Sequence, residues 1–125
     1  MEFDWRLYFN LANELATEGT EAAYRAAISR AYYAVFGAAR RLLEQRGYHL
    51  THSASIHHQV WYLYRMSHHR EMQRLYPLAA YLRDLRNQAD YDPIMENLPL
   101  AWENVYHKAS SFFTILDERL ADGDI

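Results

Sequence analysis

The stretch from Glu21 to Arg46, EAAYRAAISRAYYAVFGAARRLLEQR, decides the fold. Gly37 is its one helix breaker, and Ile28, Tyr32, Val35, Ala39 and Leu42 recur at alternating steps of four and three, the period of a single core-facing helical stripe. Glu21 stands at the positive end of such a helix. Arg40, Arg41 and Arg46 crowd its negative end ahead of Gly47, matching the sign of the helix dipole. Ala27, Ala34, Gly37 and Ala38 form a second face, small enough for close helix approach and near in angle to Arg30 and Arg41. A helix packed on two sides in a chain of 125 residues occupies either the centre of a bundle or a subunit interface, and the spacing allows both.

Upstream, Phe3, Leu7, Leu11 and Leu15 recur every four residues and predict a first helix over about residues 3–17, with Gly19 as left-handed C-cap and Thr20 capping the long helix. Downstream, Gly47 to Thr51 reads as a loop. Ser53 or Ser55 caps a third helix with the core stripe Ile56, Val60 and Leu63, ending near Ser67. Leu75, Leu78, Leu82, Leu85 and Ala89 mark a fourth helix, which Pro93 stops near Tyr91 by disfavouring helical geometry at Asp92. Pro99 suits the first turn of a last helix carrying Val105, Ala109, Phe112, Leu116 and Leu120, ahead of Gly123 and a frayed acidic tail, 121–125. The expected fold is all-α, about five helices in one bundle, with a single domain over 1–125 and no repeat, linker or low-complexity tract.

Composition narrows the function. The chain has no Cys, which excludes disulfides, thiolate catalysis and sulfur-ligated metals and is compatible with a reducing cytosol. Residues Met1 to Arg6 carry acids, and no window approaches the length needed to span a bilayer, so a cytoplasmic protein without membrane contact is expected. A net charge of -3 argues against bulk electrostatic coating of nucleic acid; any RNA contact has to be local. The eleven Tyr read as amphipathic rings lining helix contacts. Neither a glycine-rich phosphate loop, a Gly-x-Ser-x-Gly elbow nor a His-Glu-x-x-His pair occurs. His57 and His68 would lie about 16 Å apart along one helix, and adjacent pairs such as His57 and His58 point about 100° apart, so no metal site is expected and these histidines read as surface or capping groups.

Polar groups concentrate in Arg83-Asp84-Leu85-Arg86-Asn87-Gln88-Ala89-Asp90-Tyr91-Asp92-Pro93. On a helix Arg86 and Asp90 share a face, Asn87 lies beside Arg86, and Tyr91 stacks above Asn87. These four offer a guanidinium, an amide, a carboxylate and a phenol to one ligand. The same spacing also suits a plain Arg86 to Asp90 ion pair. In the long helix Arg30 interrupts the small-residue face, and its guanidinium has two outlets, a salt bridge to Asp90 or a bidentate grip on a phosphate.

Arg30-Ala31-Tyr32-Tyr33-Ala34-Val35-Phe36 in a long second helix, His57 opening the third, and Arg86-Asn87-Gln88-Ala89-Asp90-Tyr91-Asp92-Pro93 ending the fourth resemble a branch of the HEPN family of small prokaryotic proteins, over roughly residues 4–118. The resemblance implies an up-and-down bundle that forms homodimers, is encoded beside a nucleotidyltransferase acting as antitoxin, and in several branches is a toxin that cleaves RNA without a metal or other cofactor. It sets the motif Arg at Arg86 and its polar neighbour at Asn87. In place of the family's Arg-x4-6-His, however, this chain has Arg86-x-x-Ala89-Asp90-Tyr91, with Tyr91, Asp92 and Pro93 where a His belongs. Histidine titrates near neutrality and serves as both base and acid, whereas tyrosine with a pKa near 10 is a poor base unless a cation depresses it. The candidate catalytic residues are therefore Arg86, Tyr91 and Asp90, and the candidate ligand-binding residues Arg30, Asn87, Tyr33 and His57. The expected ligand is RNA or a nucleotide. The alternative is a catalytically inactive interaction module in which Arg30, Asp90 and Tyr91 form a buried structural network.

Overall fold

The computed structural model describes residues 2–120. Five α-helices follow one another, α1 (Arg6–Ala16), α2 (Glu21–Gln45), α3 (Ile56–Arg65), α4 (Arg70–Tyr91) and α5 (Leu98–Ile115), and α5 runs on into a π-helical turn, Leu116–Leu120. Among the described residues there is no strand, and the fold is the all-α bundle the sequence predicts. The acidic tail, 121–125, and the stop assigned to Gly123 lie outside the described residues.

α2 packs against each of the other four helices, so its two apolar faces mark the centre of the bundle. Ala27, Ile28, Ala31, Tyr32, Ala34 and Val35 are fully buried along it. Its start is fixed by the Thr20 hydroxyl, which accepts the Ala23 N–H at 3.1 Å. Its end is fixed by Gly47, which adopts the left-handed φ of +89° that a side chain would resist. Gly37 serves a different purpose. The Trp5 indole packs against it, and a Cβ at Gly37 would collide with the ring. Trp5 in turn makes edge-on contacts with Phe3 and Tyr8, which seats the N-terminal segment on α2.

The first helix departs from expectation in both start and face. It begins at Arg6, and Phe3, Leu7 and Leu11 are exposed. A strict step of four drifts about 40° per repeat on a helix of 3.6 residues per turn, so such a stripe slides off any one face. The core side is instead Tyr8, Phe9, Ala12, Leu15 and Ala16. In α3 the buried side chains are Val60, Trp61 and Tyr64, while Ile56 and Leu63 are half-buried, and the helix stops at Arg65. Ser55 occupies its N-cap position without a side-chain cap bond, and Ser53 bonds the Ser55 N–H instead. The Tyr64 hydroxyl ties α3 to α2 by donating to the Ala39 carbonyl at 2.7 Å. α4 begins at Arg70, a full turn before Leu75, with His69 Nδ1 accepting the Glu71 N–H as cap and Pro77 inside the helix. It ends at Tyr91, where expected, because Asp92 ahead of Pro93 is extended.

Gly37→Ala adds a helix-favouring methyl worth about 1 kcal/mol but drives it into the Trp5 ring, and overpacking of this kind costs about 1–3 kcal/mol. Chemical denaturation should find Gly37→Ala no more stable than wild type. In a Trp5→Ala background the same substitution should become stabilising, because the space is then free.

Candidate active site

The site forms where α4 crosses the middle of α2 beside the start of α3. Arg86, on the inner face of α4, is buried to 8% exposure, and its guanidinium carbon lies 5.2 Å from the ring centres of both Tyr32 and Tyr33. These neighbours follow each other on α2 and present two ring faces to one cation. Asp90, one turn along α4, approaches Arg86 at 4.0 Å and accepts a hydrogen bond from the buried Ser29 hydroxyl at 3.3 Å. Among the described residues the Arg86 guanidinium donates no hydrogen bond, and its Nε is buried without a partner. Desolvating a guanidinium costs several kcal/mol, whereas each cation–π contact returns about 0.5–2 kcal/mol and a carboxylate at this distance is not hydrogen-bonded. The protein groups around it therefore offset only part of the cost.

Arg30 lies over Tyr33 at 5.7 Å and over Tyr8 of α1 at 5.2 Å. Of the two outlets considered for it, the salt bridge to Asp90 is absent: Asp90 engages Ser29 and Arg86, and Arg30 rests on aromatic faces with its charge toward the surface. The buried network of Arg30, Asp90 and Tyr91 does not form either, since Tyr91 is 74% exposed at the helix end. Asn87 is exposed and lines, with Trp61, Tyr76, Ala80, Arg83 and Asp84, a shallow hollow of about 290 Å³. Arg86, Asp90, Tyr33, Arg30 and His57 thus converge, Asn87 sits at the rim, and Tyr91 stands apart.

His57 reaches the site from the first turn of α3. Its ring stacks on Phe36 at 4.0 Å, and its Nδ1 is 2.6 Å from the Tyr32 hydroxyl, which accepts the Trp61 indole N–H at 3.0 Å. Burial, then the nearby charges of Arg83 and Arg86, bring its pKa from an ordinary 6.5 down to about 4. Burial pushes the Tyr32 hydroxyl the other way, against the Trp61 hydrogen bond and the same two arginines. Both groups are neutral at pH 7. Among the described residues no three His, Asp or Glu side chains converge on a point where a metal could sit.

Four contributors were not singled out in the sequence. Arg83 precedes Arg86 by three residues and so shares its face, a spacing that was available to be read. Tyr32 reads as a core position, and nothing local marks Ser29, Tyr32 or Trp61 as site residues. A further hidden part is Arg25, whose guanidinium donates to the carbonyls of Ala89 at 3.0 Å and Asp92 at 2.7 Å and so caps the C-terminus of α4 next to Asp90.

The chain matches the HEPN domain family over residues 6–119. It belongs to that family. No curated protein and no solved structure matches it. Seen as a HEPN domain, the buried Arg86 with exposed Asn87 beside it falls at the end of α4, the position that the resemblance gave to the motif arginine and its polar neighbour. The helix turns extended at Asp92, directly after Tyr91.

The lowered pKa of His57 has a consequence for folding. The unfolded chain takes up a proton near pH 6.5 that the folded chain refuses until about pH 4, so the stabilisation is complete above pH 6.5 and is lost as pH falls through that window. Because the ring is only half-buried, the effect is on the order of 1–2 kcal/mol. Denaturant midpoints at pH 7 and pH 4.5 should fall further for wild type than for His57→Gln.

Proposed function

We propose that this HEPN domain is a toxin-type, metal-independent endoribonuclease that works in the cytoplasm as a homodimer under the control of a nucleotidyltransferase antitoxin. One observation carries the reading: Arg86 is a buried cation with unspent donors, held between two tyrosine rings with a carboxylate one turn away. A phosphodiester supplies the missing anion, and the adjoining Arg83 and Arg30 extend the positive strip along which RNA would lie. The strip answers the overall charge of -3, because the attraction is local.

In this scheme the 2′-hydroxyl oxygen attacks the phosphorus while Asp90 takes its proton. Arg86 stabilises the charge that builds on the pentacoordinate phosphate, and Asn87 orients it from the rim. The bond from phosphorus to the 5′ oxygen then breaks, the proton returns from Asp90 to that oxygen, and the products are a 2′,3′-cyclic phosphate and a 5′-hydroxyl end. Asp90 is favoured over Tyr91 as the proton acceptor because it adjoins Arg86 while Tyr91 is 74% exposed and makes no contact there. Tyr91 and Ile94, both largely exposed, supply apolar area for the homodimer.

Chelator-stripped protein incubated with labelled single-stranded RNA should yield cyclic-phosphate ends. Arg86→Ala should lower the rate by roughly 10²-fold or more, and Asp90→Asn comparably, while the fold is retained by circular dichroism. Full cleavage by Arg86→Ala would sink the scheme. Absence of cleavage by the wild-type protein would favour the inactive interaction module.

A further inference from the structure

The hydrogen bonds around Tyr32 determine which nitrogen of His57 carries its proton. Trp61 Nε1 is only a donor, so the Tyr32 oxygen accepts from it at 3.0 Å. Tyr32 is fully buried, and its own hydrogen has one acceptor within reach, His57 Nδ1 at 2.6 Å. Were Nδ1 the protonated nitrogen, the Tyr32 hydrogen would be stranded in the core, at a cost that buried donors rarely bear. Nδ1 is therefore the acceptor, and in the neutral ring the hydrogen sits on Nε2. Nε2 has no partner among the described residues and is not among the buried unpartnered atoms, so it faces solvent.

We propose that His57 serves the Arg86 site as a neutral Nε2–H donor to a non-bridging phosphate oxygen, locked in that tautomer by Trp61 acting through Tyr32. The proposal rests on the phosphodiester reading of the site. The groups facing His57 are Tyr32, Tyr33 and Phe36 from α2 and Arg83 and Arg86 from α4, with no carboxylate bonded to it among the described residues. Burial, then its cationic neighbours, keeps the ring uncharged, and an uncharged ring with Nδ1 engaged has no vacant nitrogen with which to take a proton. It is a donor, not a base. Trp61 and Tyr32 are positioning residues: they decide which face of the imidazole chemistry meets the ligand.

Long-range proton–nitrogen correlation spectra of histidine-labelled full chain at pH 7, with and without inorganic phosphate, test the proposal. His57 should be a pure Nε2–H tautomer whose Nε2 resonance moves as phosphate is added, and Trp61→Phe should populate both tautomers. An Nδ1–H or charged ring, or an Nε2 resonance that phosphate leaves unmoved, would overturn the donor role whether or not RNA is cut. The expected tautomer and phosphate response without RNA cleavage would instead overturn the nuclease reading and leave the anion site standing. Where wild type does cleave RNA, His57→Gln, which keeps an N–H near Nε2, should retain activity within about ten-fold while His57→Ala loses roughly 10²-fold. Equal loss in both variants would mark His57 as a base and refute the donor assignment.

Discussion

Arginine cannot shed its charge in a protein, so the burial of Arg86 constrains everything around it. A lysine in the same place would have the option of losing its proton; the guanidinium keeps its charge and must be met by neighbours. Tyr32 and Tyr33 meet it with ring faces, which solvate a cation without neutralising it, and Asp90 meets it at a distance too long for a hydrogen bond. This solvation depends on α2 and α4 lying close together. Arg25, Ser29 and Tyr32, at steps of four and three along α2, form the face that meets α4, Arg25 at its last carbonyls, Ser29 at Asp90 and Tyr32 under Arg86.

The cation–aromatic arrangement extends past Arg86. Tyr33 is shared between Arg86 and Arg30, and Arg30 is shared between Tyr33 and Tyr8, so α4, α2 and α1 are linked through alternating charges and rings. Arg25 adds a second link between α2 and α4, donating to the last carbonyls of α4 where the helix leaves them unpaired. That cap fixes the end of the helix that carries Asp90. Three arginines spaced along α2 and α4 thus have three different tasks: Arg25 ends a helix, Arg86 lies within the bundle, and Arg30 bridges to α1 and the surface. The types of residue alone do not distinguish them.

What was legible in the sequence was what repeats or what is local. The three-and-four spacing from Ile28 to Leu42 marked α2, and Pro93 marked the end of α4, because each depends on the chain's own geometry. The Arg86 to Asp90 relation was legible for the same reason, being one helical turn. The α1 stripe misled because its step of four is close to the helical period without matching it, and the true face includes Tyr8 and Phe9, which do not look like a stripe. The partner of Arg30 was not legible, because the choice between Asp90 and the Tyr8 ring is made by three helices meeting in space. The polar roles of Ser29, Tyr32 and Trp61 were not legible: Tyr32 reads as a core residue, and only the packing of α2 against α3 and α4 bonds Trp61 to Tyr32 and Ser29 to Asp90.

The departure from the family's Arg-x4-6-His pattern then has a structural counterpart. A His at position 91 would stand where Tyr91 is 74% exposed, and one at 92 or 93 would lie where the backbone has turned extended ahead of Pro93. The imidazole near Arg86 comes from α3 instead. The substitution is not equivalent, because an imidazole exposed at a helix end titrates near neutrality, whereas burial of His57, then the charges of Arg83 and Arg86, bring its pKa to about 4. Under the proposed nuclease scheme, a ring that stays neutral at pH 7 would leave proton acceptance to a carboxylate, and Asp90 is the one that approaches the guanidinium. If the proposed scheme holds, a histidine that comes from α3 instead of the end of α4 redistributes the chemistry, with donation from α3 and proton acceptance on α4.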